Sequence, residues 1–268
     1  MPRRLRLDAE LVRRGLARSR EHAGDLIAAG RVSVGSLRAS KAATAVATDA
    51  AIVVVADPSR PDYVSRGGHK LAGALARFRP DGLAVRGRAA LDAGASTGGF
   101  TDVLLREGVM HVTAVDVGYG QLAWPLRQHP AVTVVDRMNV RDLRPELLPY
   151  RPELVVGDLS FISLKLVLGP LAAVAAPDAD FVLLVKPQFE VGRAHLGPGG
   201  VVRDPRLRID SVLAVAAAAR SHDLGVLGVC ASPLPGPAGN VEYFIWLRRG
   251  APDIVSSEVE AVVFEGPQ

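Results

Sequence analysis

The 268-residue chain holds a single cysteine, Cys230. One thiol excludes an intramolecular disulfide framework and a cysteine-rich zinc site. The six histidines (His22, His69, His111, His129, His195 and His222) show no ligand spacing, so no metal is expected. Long apolar runs are also missing. The longest, 166–176 and 211–219, fall well short of the ~18–20 residues of a membrane span. The basic opening Met1-Pro2-Arg3-Arg4-Leu5-Arg6 has no apolar stretch behind it, which argues against a signal peptide. Charged residues make up 22%, too few for a disordered chain, and hydrophobic residues make up 49%, enough for a core. The expectation is a soluble, cytoplasmic protein of one large domain or two unequal ones.

Charge is unevenly placed. Residues 1–60 carry 11 Lys and Arg against 6 Asp and Glu, a net of +5, while the whole chain is only +4. The excess therefore sits in the first sixty residues. It suggests a basic module facing a polyanion, with a merely solvated basic face as the alternative.

In that module Leu5, Leu7, Leu11, Val12 and Leu16, then Ala23, Leu26 and Ile27, recur at helical spacing. Gly15 and Ser19 interrupt them, which predicts two short helices, Ser19 capping the second and Gly30 stopping it. Strand-like Val32-Ser33-Val34, a Gly35-Ser36 turn and Ala51–Val55 follow. Arg6-Leu7-Asp8, Arg14-Gly15-Leu16, Ser19-Arg20 and Gly30-x-Val32-x-Val34 stand in an order that resembles the RNA-binding domain named after ribosomal protein S4. The hairpin differs, with Gly35-Ser36 in place of Asn-Gly or Asp-Gly. The resemblance implies RNA contacts from Arg3, Arg4, Arg6, Arg13, Arg14, Arg18, Arg20, Arg31 and Lys41, with Arg66 beyond the module. It places this domain at 1–60, a linker at 61–65 and a second domain at 66–268.

After Pro61 the pattern alternates strands and helices, which predicts a mostly parallel sheet covered on both faces. Strands are expected near 89–93, 111–116, 131–135, 153–157, 180–186, 225–231 and 241–248. Helices are expected near 67–78, 99–107, 121–128, 163–175 and 205–222. Ala89–Phe100 reads as strand, glycine-rich turn and helix, a form that brings backbone N–H groups to a ligand. Asp116 ends the next strand, 22 residues after Gly94, where an acid meets a cofactor ribose. The loop is Gly94-x-Ser96-x-Gly98-Gly99 rather than Gly-x-Gly-x-x-Gly. Asp92 before it would repel a pyrophosphate and suit a sulfonium, which favours S-adenosylmethionine over a dinucleotide.

Asp158 and Lys186 close two later strands, Glu242 opens the last, and Lys70 lies early in the helix ahead of the first strand. Singly each is unremarkable as a solvated strand-end or surface charge. Together, in this order, they resemble the catalytic tetrad of the FtsJ-like ribose 2′-O-methyltransferases. Val64-Ser65-Arg66-Gly67, Gly94–Thr101, Asp116–Leu122, Asp158–Ser163 and Lys186–Glu190 are similar to strings of the TlyA branch, with Thr97 where a proline is frequent. The resemblance implies a Rossmann-like class I α/β fold: a seven-stranded, mostly parallel sheet with the last strand antiparallel, behind a small α+β RNA-binding domain. It implies methyl transfer to cytidine 2′-hydroxyls of ribosomal RNA, in both subunits, with Lys186 as base or orienting group. Asp92, Gly94, Ala95, Ser96, Thr97, Gly98, Gly99, Phe100, Asp116, Val117, Asp158 and Leu159 would hold the cofactor, with Asp136, Met138 and Asn139 toward its adenine.

Three other readings stand beside this one. A membrane-damaging haemolysin needs a span, a barrel or a strongly amphipathic face. A base N-methyltransferase commonly carries Asn/Asp-Pro-Pro-Tyr where this chain has Asp158-Leu159-Ser160-Phe161. An inactive RNA-binding factor would not need the tetrad.

Overall fold

The computed structural model describes residues 4–55, 57, 61–236 and 238–267. Its contacts divide the chain into two compact units, Met1–Asp62 and Tyr63–Gln268. Tyr63, inside the stretch read as linker, is 8% exposed and packs its ring 5.0 Å from His69, and the Val64 N–H donates to Asp102. The joint therefore lies between Asp62 and Tyr63.

The smaller unit runs β1 (Arg4–Arg6), α1 (Leu7–Arg13), α2 (Arg20–Ala28), β2 (Val32–Val34), β3 (Leu37–Arg38), β4 (Ala45–Ala47) and β5 (Ile52–Val54). Ser19 caps α2 by accepting the His22 N–H at 3.1 Å. Gly30 follows the helix at φ +67°, a left-handed position that glycine takes without a Cβ penalty. Leu7, Leu11, Ala23, Leu26, Ile27, Val32 and Val46 form its core. Leu5, read as helical, lies instead on β1, which pairs antiparallel with β4. β1, β3 and β4 are two or three residues long, too short to display a period of two.

The larger unit runs α3 (Gly67–Phe78), β6 (Ala89–Ala93), α4 (Gly99–Arg106), β7 (His111–Val115), α5 (Trp124–Arg127), β8 (Val132–Val135), β9 (Leu154–Gly157), α6 (Leu168–Val174), β10 (Asp180–Val185), α7 (Pro187–Glu190), α8 (Pro205–Arg220), β11 (Leu224–Ala231), β12 (Tyr243–Arg249) and α9 (Ser256–Glu265). One seven-stranded sheet has the order β11-β12-β10-β9-β6-β7-β8. β6 to β10 pair in parallel, and β12 runs antiparallel between β10 and β11. β9 and β10 are buried along their whole lengths, as strands covered on both faces must be. Leu71, Leu75 and Phe78 of α3 and Phe100, Val103 and Leu104 of α4 pack in one cluster. Leu168 and Leu171 of α6, Val212 and Val215 of α8, and Val259 and Val263 of α9 pack in another.

Two expected helices are shorter than their pattern. Pro125 sits in the first turn of α5, and its missing N–H and fixed φ suit a helix start. The helix read over 163–175 is a 3-10 turn (Leu164–Leu166) followed by α6, which carries Pro170 near its start. A proline there cannot bond back to residue 166, so the helix cannot run through. α7 and α9 have no counterpart among the expected helices.

Candidate active site

β6 and β9 are neighbours, with β7 on the far side of β6. The chain leaves β6 toward one side of the sheet order and β9 toward the other, and ligands settle at such a switch point. A cavity of about 690 Å³ opens there. Of the residues expected around a cofactor, Gly94, Ser96, Asp116, Val117, Asn139, Asp158 and Leu159 line it. Gln121, Val140, Arg141, Ser160, Phe161, Ile162, Ser163, Leu166 and Val167 line it too, although no spacing singled them out. Asp92, Ala95, Thr97, Gly98, Gly99, Phe100, Asp136 and Met138 lie off its wall.

The glycines of the turn answer to the protein first. The N–H groups of Gly94 and Ala95 both donate to the Val115 carbonyl, which ties the turn to the end of β7. Gly94 is at φ +84°, and a Cβ on it would lie 3.0 Å from the Asp158 carbonyl oxygen. Gly98 is at φ +97°, and a Cβ there would lie 2.3 Å from Leu126. Close approach of a ligand was the expected reason for Gly98; close approach of Leu122 and Leu126 is the reason the structure displays.

Asp116 reaches the cavity with its carboxylate already oriented. Its Oδ2 accepts the Ser96 N–H at 2.8 Å and its Oδ1 the Gly118 N–H at 2.7 Å. Asp136 instead accepts from Arg127 at 2.8 Å and from the Gly120 N–H. Met138 packs against the core, and Asn139 accepts the Arg141 N–H at the start of a 3-10 turn. Asp92 is 0% exposed. Its Oδ2 accepts from Thr101 Oγ1 at 2.6 Å, while its Oδ1 has no hydrogen-bond partner among the described residues. Burial pushes this carboxyl up to about 7, because a desolvated carboxylate is the costlier form.

The tetrad assembles as two ion pairs. Lys70 on α3 donates to Glu242 Oε2 at 2.6 Å. Lys186, just past β10, places its Nζ 2.5 Å from Asp158 Oδ1, an ion pair without the angle of a hydrogen bond, and donates to Ser160 Oγ at 2.8 Å. Gln188, two residues on, donates to Glu242 Oε1 at 3.2 Å. The short α7 thus reaches both pairs. Asp158 lines the cavity, whereas Lys70, Lys186 and Glu242 are buried and lie off its wall. Glu242 is no surface acid: a Cβ on Gly236 would meet its Oε1 at 2.6 Å.

Phe161 is 92% exposed at φ +63°, with its ring 5.3 Å from Phe189. A large apolar side chain held out at strained backbone is a functional signal. It was visible in sequence only as one letter of a familiar string.

In the smaller unit most of the expected RNA-facing arginines have partners. Arg6 and Arg20 both bond to Asp8, and Arg13 and Arg14 both bond to Glu10. Arg14 also donates to the carbonyls of Ala50 and Thr48, so its fork serves the unit's own architecture. Arg31 pairs with Asp62 and donates to the Val55 carbonyl, and Arg4 donates to Ala45. Arg18 donates its backbone N–H to His22, Lys41 is exposed, and Arg3 lies outside the described residues. In the larger unit Arg66 donates to the Pro235 carbonyl at 2.8 Å. The side chains of Arg6, Arg13 and Arg20 remain more than half exposed despite their pairs.

Comparison with known proteins gives the family. An FtsJ-like methyltransferase model matches residues 63–249 and an S4 domain model matches residues 5–52. The chain is 57% identical over 272 residues, covering 100% of both chains, to the 16S/23S rRNA (cytidine-2′-O)-methyltransferase TlyA of Mycobacterium tuberculosis. It is 37% identical over 243 residues to Hemolysin A of Brachyspira hyodysenteriae, covering 89% of this chain and 98% of that one. A solved chain from Streptococcus thermophilus, described as a hemolysin, superimposes with a TM-score of 0.76 at 36% identity, over 99% of this chain and 96% of that one. Among the described residues no helix is long and apolar enough to cross a membrane. Hemolysin is a second name within one family, and the chain belongs to it: the TlyA family of FtsJ-like methyltransferases, which carry an S4 domain ahead of the methyltransferase fold.

Proposed function

We propose that the protein transfers a methyl group from S-adenosylmethionine to the ribose 2′-hydroxyl of cytidine in 16S and 23S ribosomal RNA. The observation that carries this reading is the Lys186–Asp158 pair, 2.5 Å apart, whose Asp158 lines a cavity that Asp116 also lines. Residues 1–62 dock the RNA and the chain from Tyr63 carries the chemistry, in the cytoplasm where ribosomal subunits are made.

The cavity fits the cofactor by the chemistry of its wall. A volume of about 690 Å³ lies in the range of ligand pockets. Asp116 keeps lone pairs for ribose hydroxyls, Val140, Ile162, Leu166 and Val167 form an apolar face for the base, and Asp158 offers a negative charge to a sulfonium. When bound, the cofactor supplies an electrophilic methyl group. Lys186 holds the ribose oxygen: of its three N–H donors, one faces Asp158 and one bonds Ser160, which leaves one for the 2′-oxygen. Polarised in this way, a poor nucleophile loses its proton to the Asp158 carboxylate as the new O–C bond forms and the methyl–sulfur bond breaks, its electron pair staying on the sulfur. Lys70 and Glu242 stay buried and hold α3 and α7 around the pair. Phe161 is placed to stack on the target base.

The test is mass spectrometry of nucleosides from unmodified rRNA and subunits incubated with the full-length protein and cofactor. We expect 2′-O-methylcytidine from the wild type. Lys186→Ala should abolish it while leaving cofactor affinity, by calorimetry, within a few-fold. RNA that is bound but never methylated would leave an RNA-binding factor instead.

A further inference from the structure

The side chain of Glu190 is 1% exposed, and no step above uses it. It ends α7, four residues after Lys186. Its Oε2 accepts from Ser163 Oγ at 2.5 Å, and its Oε1 accepts the Leu164 N–H at 2.8 Å. Lys165 Nζ stands 3.9 Å away. The carboxylate thus grips the far end of the loop that leaves β9. The near end is held by the Lys186 bond to Ser160, and in between Phe161 meets Phe189. One five-residue stretch, Lys186 to Glu190, therefore fastens the loop at three points.

The loop needs fastening. Phe161 adopts φ +63°, which a bulky residue holds only where its surroundings impose it. The same loop carries the hydroxyl that bonds Lys186, and Ser163, Leu166 and Val167 of the cavity wall follow directly. A buried carboxylate is unfavourable unless its lone pairs are bonded. Among the described residues its bonds go to this loop, at Ser163 and Leu164.

We propose that Glu190 is a positioning residue for methyl transfer: it fixes the 158–164 loop so that Ser160 holds Lys186 in place and Phe161 faces the cavity. This role rests on the function proposed above. A loop displaced by about 1 Å is enough to cost up to about 100-fold in rate.

The test uses full-length protein, with methyl transfer to unmodified rRNA followed beside thermal melting and RNA titration. Glu190→Ala should lower kcat about 10- to 100-fold, by more than it raises KM for RNA through Phe161, because the main fault lies in the reacting geometry. Glu190→Gln should recover most of the rate, since an amide can accept from the Leu164 N–H and bond the Ser163 hydroxyl. Ser163→Ala, which removes one of the two bonds, should fall between. An unchanged kcat per folded molecule in Glu190→Ala, or a Gln variant no better than Ala, overturns the role. If Glu190→Ala does not fold, a wild-type kcat in Ser163→Ala overturns it. A silent wild type overturns the function and this role with it, whereas an active wild type beside an equally active Glu190→Ala overturns the role alone.

Discussion

Lys70 and Glu242 stand 172 positions apart in the chain and meet at 2.6 Å, with side chains 5% and 1% exposed. Neither charge could be buried singly without a large desolvation cost. The pair ties α3, which precedes the first strand of the sheet in the chain, to the residue just ahead of its last strand, β12.

Glu242→Ala should therefore leave Lys70 buried without its partner and lower stability by about 3–5 kcal/mol in urea unfolding. The double variant Lys70→Met with Glu242→Leu should recover most of that stability, because an apolar pair of similar volume needs no compensation. It should recover methyl transfer only in part, because Gln188 loses the Glu242 carboxylate that holds α7 beside Lys186. A double variant with full activity would show that this bond plays no part in placing α7.

Phe161→Gly separates stability from function. Glycine accepts φ +63° without strain, so the melting temperature should hold or rise. Stacking on a base is worth about 1–3 kcal/mol, so kcat/KM for RNA should fall about 5- to 160-fold. Unchanged transfer would remove Phe161 from substrate contact.

Two carboxyls should give pH dependences of opposite sign. Burial raises Asp92 from 3.8 to about 7. Below about pH 4 the group is protonated in both the folded and the unfolded chain. Between about 4 and 7 only the unfolded chain loses the proton, so stability falls as pH rises and levels off above. Asp92→Asn should flatten that slope. Bonds from Arg13 and Arg14 hold Glu10 down from 4.5 to about 2. Its contribution is complete above pH 4.5 and lost as the pH falls toward 2, so Glu10→Gln should weaken the acid limb of the smaller unit. Urea midpoints measured across pH 2 to 8 check both, and an unaltered slope in either variant counts against its assignment.

Arg6 and Arg20 share the buried Asp8, so the triple variant Arg6→Ala, Arg18→Ala, Arg20→Ala should lose RNA affinity and also soften the smaller unit. Lys41→Ala, at an exposed position, should lower RNA affinity without moving the unfolding midpoint. For each lost phosphate contact the log–log salt slope should become shallower by about 0.7–0.9. Removing residues 1–62 should leave a folded unit that still binds cofactor and scarcely binds RNA. Affinity and slope that stay put in all of these variants would place RNA docking elsewhere.

What the chain displays by itself is local. β6, the glycine turn and α4 stand in unbroken succession, and alternation of strand and helix points to a parallel sheet. The Ser19 cap and the Gly30 stop are written in single residues, and so are the three charges at strand ends and Lys70 on its helix. Tertiary structure decided what those residues meet. Nothing local to Gly98 says that Leu126 fills the space its Cβ would need. Nothing near Arg14 says that its fork ends on Thr48 and Ala50 rather than on RNA. Asp92 and Asp116 are both acids closing strands, yet one is sealed in and the other borders the cavity. Glu190 is one charged letter until the β9 loop folds over it and burial makes its two bonds obligatory. Propensity and periodicity act over a few residues, whereas burial and ion pairing depend on which distant segment arrives, and only the closed fold brings Lys70 to Glu242.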